Sequence, residues 1–581
     1  MTRLNILLIT SDQQHWNTLG CLNPEISTPA LDRLAEEGTL YTRAYCPNPT
    51  CTPTRSSMIT GKAPAQHGAV SLGMKLPEHE PTVGDIFQRA GYRTALVGKA
   101  HFQPLQGTED YPSLEAWPTL QDLDFWRDFN GPFYGFEHIE LARNHTTEAH
   151  VGQHYALWME ANGLDNWRDF YETPTGNNDG QVRKWMIPER FHYNTWIAER
   201  SNALLGQYAE NEEPFFLWAS FFDPHPKYLA PEPWDTMYDP DALTVPEITP
   251  GEHDANPPHF RLTQQPDPDF TPWLEEKGNG LHGCHFHLHD REELAKDIAC
   301  YYGMVSCMDR YIGLILDRLE ELGLADNTLV VFTSDHGHFF GQHGLIAKGP
   351  FHYEDMIRVP MILRWPGRCE AGARSDALQL LSDLPVSFLS ACGLDVPTDM
   401  TAIDQSPVWA GQATQMRNEL LVENHHQPTT MHARTLVTER YKLTVYCHRD
   451  YGELFDLELD PGETRNLWDD AGHAWLKDWL VERMLLAQMA QEEPLDDERR
   501  AWPNKSAGMY TKTLDAGRWR ITMDPENDCY ELLDTGQYPG SPGEDRWGDP
   551  AYSAQRGRMM LALQFARMAA EPFWMPRVSG A

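Results

Sequence analysis

Leu4-Asn5-Ile6-Leu7-Leu8-Ile9-Thr10 runs directly into Ser11-Asp12-Gln13-Gln14 near the start of the chain. A short apolar run of strand formers reads as a buried strand, and the sudden polarity places Asp12 and Gln13 at its carboxyl end. The arrangement recurs. Tyr92-Arg93-Thr94-Ala95-Leu96-Val97 leads into Gly98-Lys99-Ala100-His101, Phe215 to Phe222 into Asp223-Pro224-His225-Pro226, and Leu329-Val330-Val331-Phe332-Thr333 into Ser334-Asp335-His336-Gly337. Helical segments lie between these runs: Thr28 to Gly38 carries Thr before Pro and a terminal Gly, and Thr82 to Ala90 stops at Gly91. Glu292 to Leu322 shows a helical stripe through Ile298, Tyr302, Val305, Met308, Ile312, Ile315 and Leu319. Such alternation predicts an α/β fold, a large and mostly parallel central sheet flanked by helices. Ligands bind such sheets at the carboxyl ends of the strands, so the four polar strand ends are expected to converge.

The 581 residues suit one large and one smaller domain. A catalytic domain is expected over 1–425, with insertions at about 102–188 and 227–290. Short strands at Thr435 to Val437, Tyr441 to Tyr446 and Gly452 to Leu457, then a helix from Ala474 to Met489, predict a small α+β domain over 426–495. The stretch 496–581, rich in aromatic residues, Gly and Pro, is expected to wrap the body or a partner subunit of a homo-oligomer. Both insertions read as loops over the site. Trp117, Trp126, Trp158, Trp167 and Trp185 suit either an aromatic wall for a ring or quaternary ammonium, or core packing of inserted helices. His282, His285, His287 and His289 read as an acidic, His-bearing lid, with a second metal site as the alternative.

Hydrophobic residues make up 41% of the chain, with 19 Trp, 22 Tyr and 23 Phe, which is ample for a core. A net charge of −38 repels nucleic acid and anionic membranes, so neither is expected as a partner. Any anionic substrate then needs a site made locally positive by a metal, Arg, Lys or His. No secretory apolar segment and no run of about 18 apolar residues occurs, so a soluble, cytoplasmic protein is expected. Ten scattered cysteines read as thiols, although the Cys46–Cys51 gap leaves a disulfide or half a zinc site open.

Cys51-Thr52-Pro53-Thr54-Arg55-Ser56-Ser57-Met58-Ile59-Thr60-Gly61 resembles the signature of the type I sulfatase family, in the alkaline phosphatase superfamily. That resemblance implies an alkaline phosphatase-like fold and oxidation of Cys51 to formylglycine by a formylglycine-generating enzyme. It implies hydrolysis of a small organic sulfate ester, aryl, alkyl or sugar, by the formylglycine hydrate. The covalent sulfated hemiacetal can then expel sulfate by rebuilding the aldehyde. The contrasting reading, which the motif disfavours, is a buried or merely reactive thiol ahead of a Pro-bounded helix.

Asp12-Gln13 and Asp335-His336 resemble the superfamily's metal-ligand set, to which the residue at position 51 adds a donor. One divalent metal is implied: Ca²⁺ by family habit, although Gln13 and His336 depart from the commonest pattern and Mn²⁺ or Zn²⁺ tolerate imidazole. The same pairs resemble the phosphonate monoester hydrolases, a sister group sharing C-x-P-x-R, so phosphonate or phosphodiester hydrolysis is the alternative. Gly98-Lys99-Ala100-His101 matches the sulfatase G-K-x-H element, implying that Lys99 contacts sulfate and His101 assists hemiacetal breakdown. His225 and Lys348 match the pair that binds the ester oxygen and protonates the leaving group, and Arg55 matches the anchor of the formylglycine diolate. Together these residues meet the requirement for local positive charge. Glu453-Leu454-Phe455-Asp456-Leu457, Asp460-Pro461-Gly462-Glu463 and Asn466-Leu467 match the family's tail motif. From another class, a non-catalytic anion-binding or assembly protein remains the contrast.

Overall fold

The computed structural model describes residues 3–143, 148–171, 184–266, 268–275, 285–286, 290–426, 429–491, 512–516, 518–524, 529–535, 544–571, 573–575 and 577. Strand β1 (Asn5–Ser11) is followed by helix α1 (Pro29–Glu37), β2 (Thr39–Tyr45) and helix α2 (Cys51–Thr60). Then come β3 (Arg93–Gly98), β4 (His138–Leu141), helix α3 (Tyr193–Glu210) and β5 (Phe215–Ser220). Helix α4 (Arg291–Glu321), β6 (Thr328–Ser334), β7 (Arg358–Arg364) and β8 (Ala373–Ser375) complete the large unit.

The strands form one sheet in the order β8-β2-β7-β6-β1-β5-β3-β4, with Gln379–Leu380 also pairing β2. Strand β7 alone runs antiparallel, between β2 and β6. Every residue of β1, β5 and β6 is buried, the mark of strands covered on both faces. The two-residue period divides β1 between two cores: Ile6 and Leu8 pack on one face, Leu7 and Ile9 on the other. The stripe of α4 covers the second face through Met308, Ile312, Ile315 and Leu319, and Asp290 caps that helix by accepting from the Glu292 N–H at 2.9 Å. The expected α/β architecture is therefore present, with its strand ends on one side.

Four of the five tryptophans of the first insertion are core residues. Trp126 packs on one sheet face, and Trp158, Trp167 and Trp185 on the other. Only Trp117 is exposed, at 71%. The aromatic-wall reading gives way to core packing, because the inserted helices need apolar faces of their own. His282, His287 and His289 lie outside the described residues, and the backbone of His285–Phe286 pairs with Leu345–Ala347.

A second, antiparallel sheet contains β9 (Glu419–His426), β10 (Met431–Thr438), β11 (Tyr441–Tyr446) and β12 (Gly452–Asp456), followed by helix α5 (Ala474–Ala490). It begins at Glu419, so the expected boundary at 425/426 falls inside β9. The polar end of that strand, Glu423-Asn424-His425-His426, conceals its pairing in the sequence. Nor is the stretch after 495 a separate appendage. A third sheet containing Lys512–Ala516, Trp519–Asp524 and Cys529–Asp534, with helix α6 (Ser553–Ala569), contributes Ile521, Met523, Leu532, Met560 and Leu563 to the core that holds Leu436, Leu454 and Met484. Beyond α6 the chain returns to the large unit: Met575 packs on Val70 and Met74, and Arg577 donates to the Leu72 carbonyl at 3.1 Å. Among the described residues no helix is long and apolar enough to cross a membrane.

Candidate active site

Asp12 follows β1, Asp335 and His336 follow β6, and Lys99 follows β3, so three sheet strands deliver charged groups to one place. Cys51 enters from the side as the first residue of α2, where the free N–H groups and the helix dipole favour negative charge. One donor atom each from Asp12, Cys51, Asp335 and His336 lies within 4.8 Å of the others, all buried. Cys51 Sγ stands 3.2 Å from His336 Nε2 and 3.7 Å from Asp12 Oδ1. Gln13, with a φ of 61°, gives its backbone N–H to Asp335 Oδ1 at 2.9 Å. Its side-chain Nε2 meets His338 Nδ1 at 2.9 Å, while its buried Oε1 has no hydrogen-bond partner among the described residues.

The cations interlock with these donors. Arg55 Nε donates to Asp335 Oδ2 at 2.8 Å, and its NH1 donates to the Ser220 hydroxyl at 2.8 Å and the Lys99 carbonyl at 3.0 Å. Lys99 ion-pairs with Asp12. Lys348 Nζ lies 3.4 Å from Cys51 Sγ and 3.4 Å from His225 Nε2, placing the predicted leaving-group pair beside the predicted nucleophile. His101 stands behind this set and contacts Arg143. All ten residues proposed from sequence thus meet in one cluster, in which only His225 is half-buried rather than buried.

The field of the cluster is visible in its ionisation. Burial alone would raise Asp12, but Lys99, Arg55 and Lys348 bring it down to about 2. Burial likewise opposes a lowered Cys51, yet Lys348 and Lys99 pull the thiol below its ordinary value. Burial first, then Arg143, holds His101 well below the usual imidazole range, and burial with Lys348 does the same for His225. Both imidazoles are therefore held in the neutral form.

Backbone constraints explain two motif glycines. Gly98 has φ +111°, and a Cβ there would sit 1.9 Å from the Ser220 carbonyl oxygen, the oxygen that accepts the Lys99 N–H. Gly61 ends α2 in the left-handed conformation, its N–H bonded to the Ser57 carbonyl at 3.0 Å.

A sulfatase family model matches residues 4–394. The chain belongs to the sulfatase family. Its enzyme class is accordingly that of a sulfuric ester hydrolase, and a second model, the C-terminal region of N-sulphoglucosamine sulphohydrolase, matches residues 341–491. An arylsulfatase of Clostridium perfringens is 26% identical over 505 residues, covering 85% of this chain and 96% of that protein. An N-acetylglucosamine-6-O-sulfatase of Bacteroides thetaiotaomicron is 25% identical, covering 86% and 88%. A phosphonate monoester hydrolase structure from Silicibacter pomeroyi superposes with a TM-score of 0.69 at 24% identity, covering 84% of this chain and 96% of that one, which supports the alkaline phosphatase-like fold.

The residues of this sulfatase fit a divalent cation: two carboxylates, an imidazole, the position-51 side chain and the unpartnered Gln13 amide oxygen supply the donors. Cys46 and Cys51 are both free thiols, so no disulfide joins them. Sequence reading missed Arg143 and Glu115, both from the first insertion. Arg143 donates to Glu115 Oε2 at 2.9 Å and to the Gln103 carbonyl at 3.0 Å, while Glu115 accepts the backbone N–H groups of His101, Phe102 and Gln103. The position of Arg143 just past β4 was the available signal, since β1, β3 and β6 are each followed directly by a charged residue. Ser220 at the end of β5 was likewise missed. A cleft of about 990 Å³ lined by Arg43, Glu252, Asp355, Arg358 and Glu463 contains none of these residues.

Proposed function

We propose that the chain hydrolyses small organic sulfate esters to alcohol and sulfate, with a formylglycine made from Cys51 as nucleophile. The observation that carries this is Cys51 at the start of a buried helix, 3.4 Å from Lys348, beside Lys99 and a set of metal-type donors. Cys51 Sγ occupies the place of a hydroxyl oxygen of the formylglycine hydrate. That hydroxyl, ionised with its proton released to solvent, attacks sulfur, and the S–O bond to the alcohol breaks. Lys348, next to neutral His225, gives its proton to the departing alkoxide. Neutral His101 takes the proton of the second hydroxyl, the C–O bond to sulfate breaks, and the aldehyde returns to be rehydrated. Lys99 and the start of α2 hold the sulfate oxygens against the repulsion of an acidic exterior, and Arg55 anchors the formylglycine diolate. A divalent ion held by Asp12, Gln13, Asp335 and His336 would neutralise sulfate charge and acidify the attacking hydroxyl; Ca²⁺, Mn²⁺ and Zn²⁺ are distinguished by metal analysis of active protein.

Gln13 and His336 favour a second reading, phosphonate monoester or phosphodiester hydrolysis through the same nucleophile. Matched aryl sulfate, phosphonate and phosphodiester substrates separate the two: sulfate is expected to give the largest kcat/KM, and a strong phosphonate preference reverses the assignment. Mass analysis of the Cys51 peptide after coexpression with a formylglycine-generating enzyme is expected to show the aldehyde. An active protein that retains the thiol refutes the mechanism.

A further inference from the structure

Away from the catalytic cluster, the returning tail brings Glu571 against a cross-strand pair on the second sheet, His425 of β9 and His432 of β10, which are direct register partners. Glu571 Oε2 lies 3.1 Å from His425 Nε2 and 3.3 Å from His432 Nε2. All three donor atoms fall within 4.8 Å of one another. Tetrahedral zinc with metal–ligand bonds of about 2.0–2.1 Å places its donors about 3.3–3.4 Å apart; the His432 edge, at 3.3 Å, has that length and the His425 edge, at 3.1 Å, is slightly shorter. The His425 contact has good hydrogen-bond geometry, whereas the buried His432 Nε2 faces the same oxygen in poorer hydrogen-bond geometry.

The surroundings orient the carboxylate. Arg434 pairs with Glu423 and takes the other Glu571 oxygen, Oε1, which fixes the carboxylate with Oε2 toward the imidazoles. Gln488 also donates to Oε1, at 3.4 Å. Two carboxylates thus face one guanidinium. Phe573 stands edge-on to His425, with centroids 5.1 Å apart, and shields that side.

The geometry points to a second metal site, formed by His425, His432 and Glu571, that takes a borderline divalent cation of the Zn²⁺ class and pins the C-terminal tail to the second sheet. Two imidazoles and one carboxylate exclude Ca²⁺ and Mg²⁺ as preferred occupants, because those ions favour all-oxygen shells. The role is structural, since none of the three residues belongs to the catalytic cluster.

The test uses full-length, matured protein equilibrated with ZnCl₂, cleared of loose ion by gel filtration and assayed for zinc per chain. Wild type is expected to hold one more zinc than a His425→Ala/His432→Ala variant, with kcat on an aryl sulfate unchanged within about twofold. Equal zinc in both overturns the site. If the double variant does not fold, Glu571→Gln replaces it at nearly constant shape, judged by the same zinc difference. Co²⁺ in wild type is expected to give visible bands of tetrahedral cobalt that Glu571→Gln diminishes, and identical spectra also overturn the site.

Discussion

Two buried charge clusters in this chain treat their carboxylates in opposite ways. At the strand ends of the large sheet, Asp12 is brought down to about 2, and Asp335 too lies below its ordinary value, although burial pushes both upward. On the second sheet, burial raises Glu453 to about 7 and also raises Glu463. The difference is the supply of cations. Arg55, Lys99 and Lys348 surround the two aspartates, whereas a single lysine, Lys442, is shared by Glu463 and Glu354, 3.6 Å from the latter, and Glu453 leans on the Tyr446 hydroxyl with Lys442 and His343 as its positive neighbours. Equal burial therefore yields an anion-binding site where cations are in excess and a stability cost where they are scarce.

The largest expected effect sharpens the functional side of that contrast. Cys51→Ala is predicted to lower kcat/KM by about 10⁴–10⁶, with thermal unfolding little changed. Measurable turnover near the wild-type rate would detach the cluster from chemistry. Lys348→Ala is predicted to lower kcat by about 10²–10⁴. Steady-state kinetics across aryl sulfates should show the smallest loss for the most acidic leaving groups, and a uniform loss would remove Lys348 from proton donation.

On the second sheet the prediction is stability without chemistry. Lys442→Met leaves Glu463 and Glu354 without their cation and is predicted to cost about 3–5 kcal/mol in urea unfolding, with kcat preserved where the protein stays folded. A fall in kcat at unchanged stability would erase the distinction between the clusters. The smallest effect concerns pH. The folded pKa of Glu453 lies above its ordinary value, so its contribution is fully present below about pH 4.5 and is lost as pH rises through about 7. Urea midpoints near pH 5 and near pH 8 should therefore differ by about 2–3 kcal/mol of stability, and Glu453→Gln should flatten that slope. An unchanged slope in the variant assigns the pH dependence elsewhere.

Much of the site was legible because its residues are local to strand ends. Asp12, Lys99, His225 and Asp335 each follow an apolar run, and Cys51 sits in a motif whose spacing carries its own meaning. Arg143 and Glu115 were not legible, because they come from an insertion and reach His101 only after the chain has folded back. The fold boundary at Glu419 was hidden for a related reason: the polar end of β9 acquires a partner only by pairing with β10.

The sequence by itself determined the strand and helix alternation, the polar strand ends and the family motif, because these depend on residues near one another along the chain. Only the tertiary structure decided which charges share a cluster, that four tryptophans serve the core, and that the tail returns to place Glu571 on two histidines. Charge interactions and packing depend on distance in space, and a linear pattern fixes that distance only within a few residues.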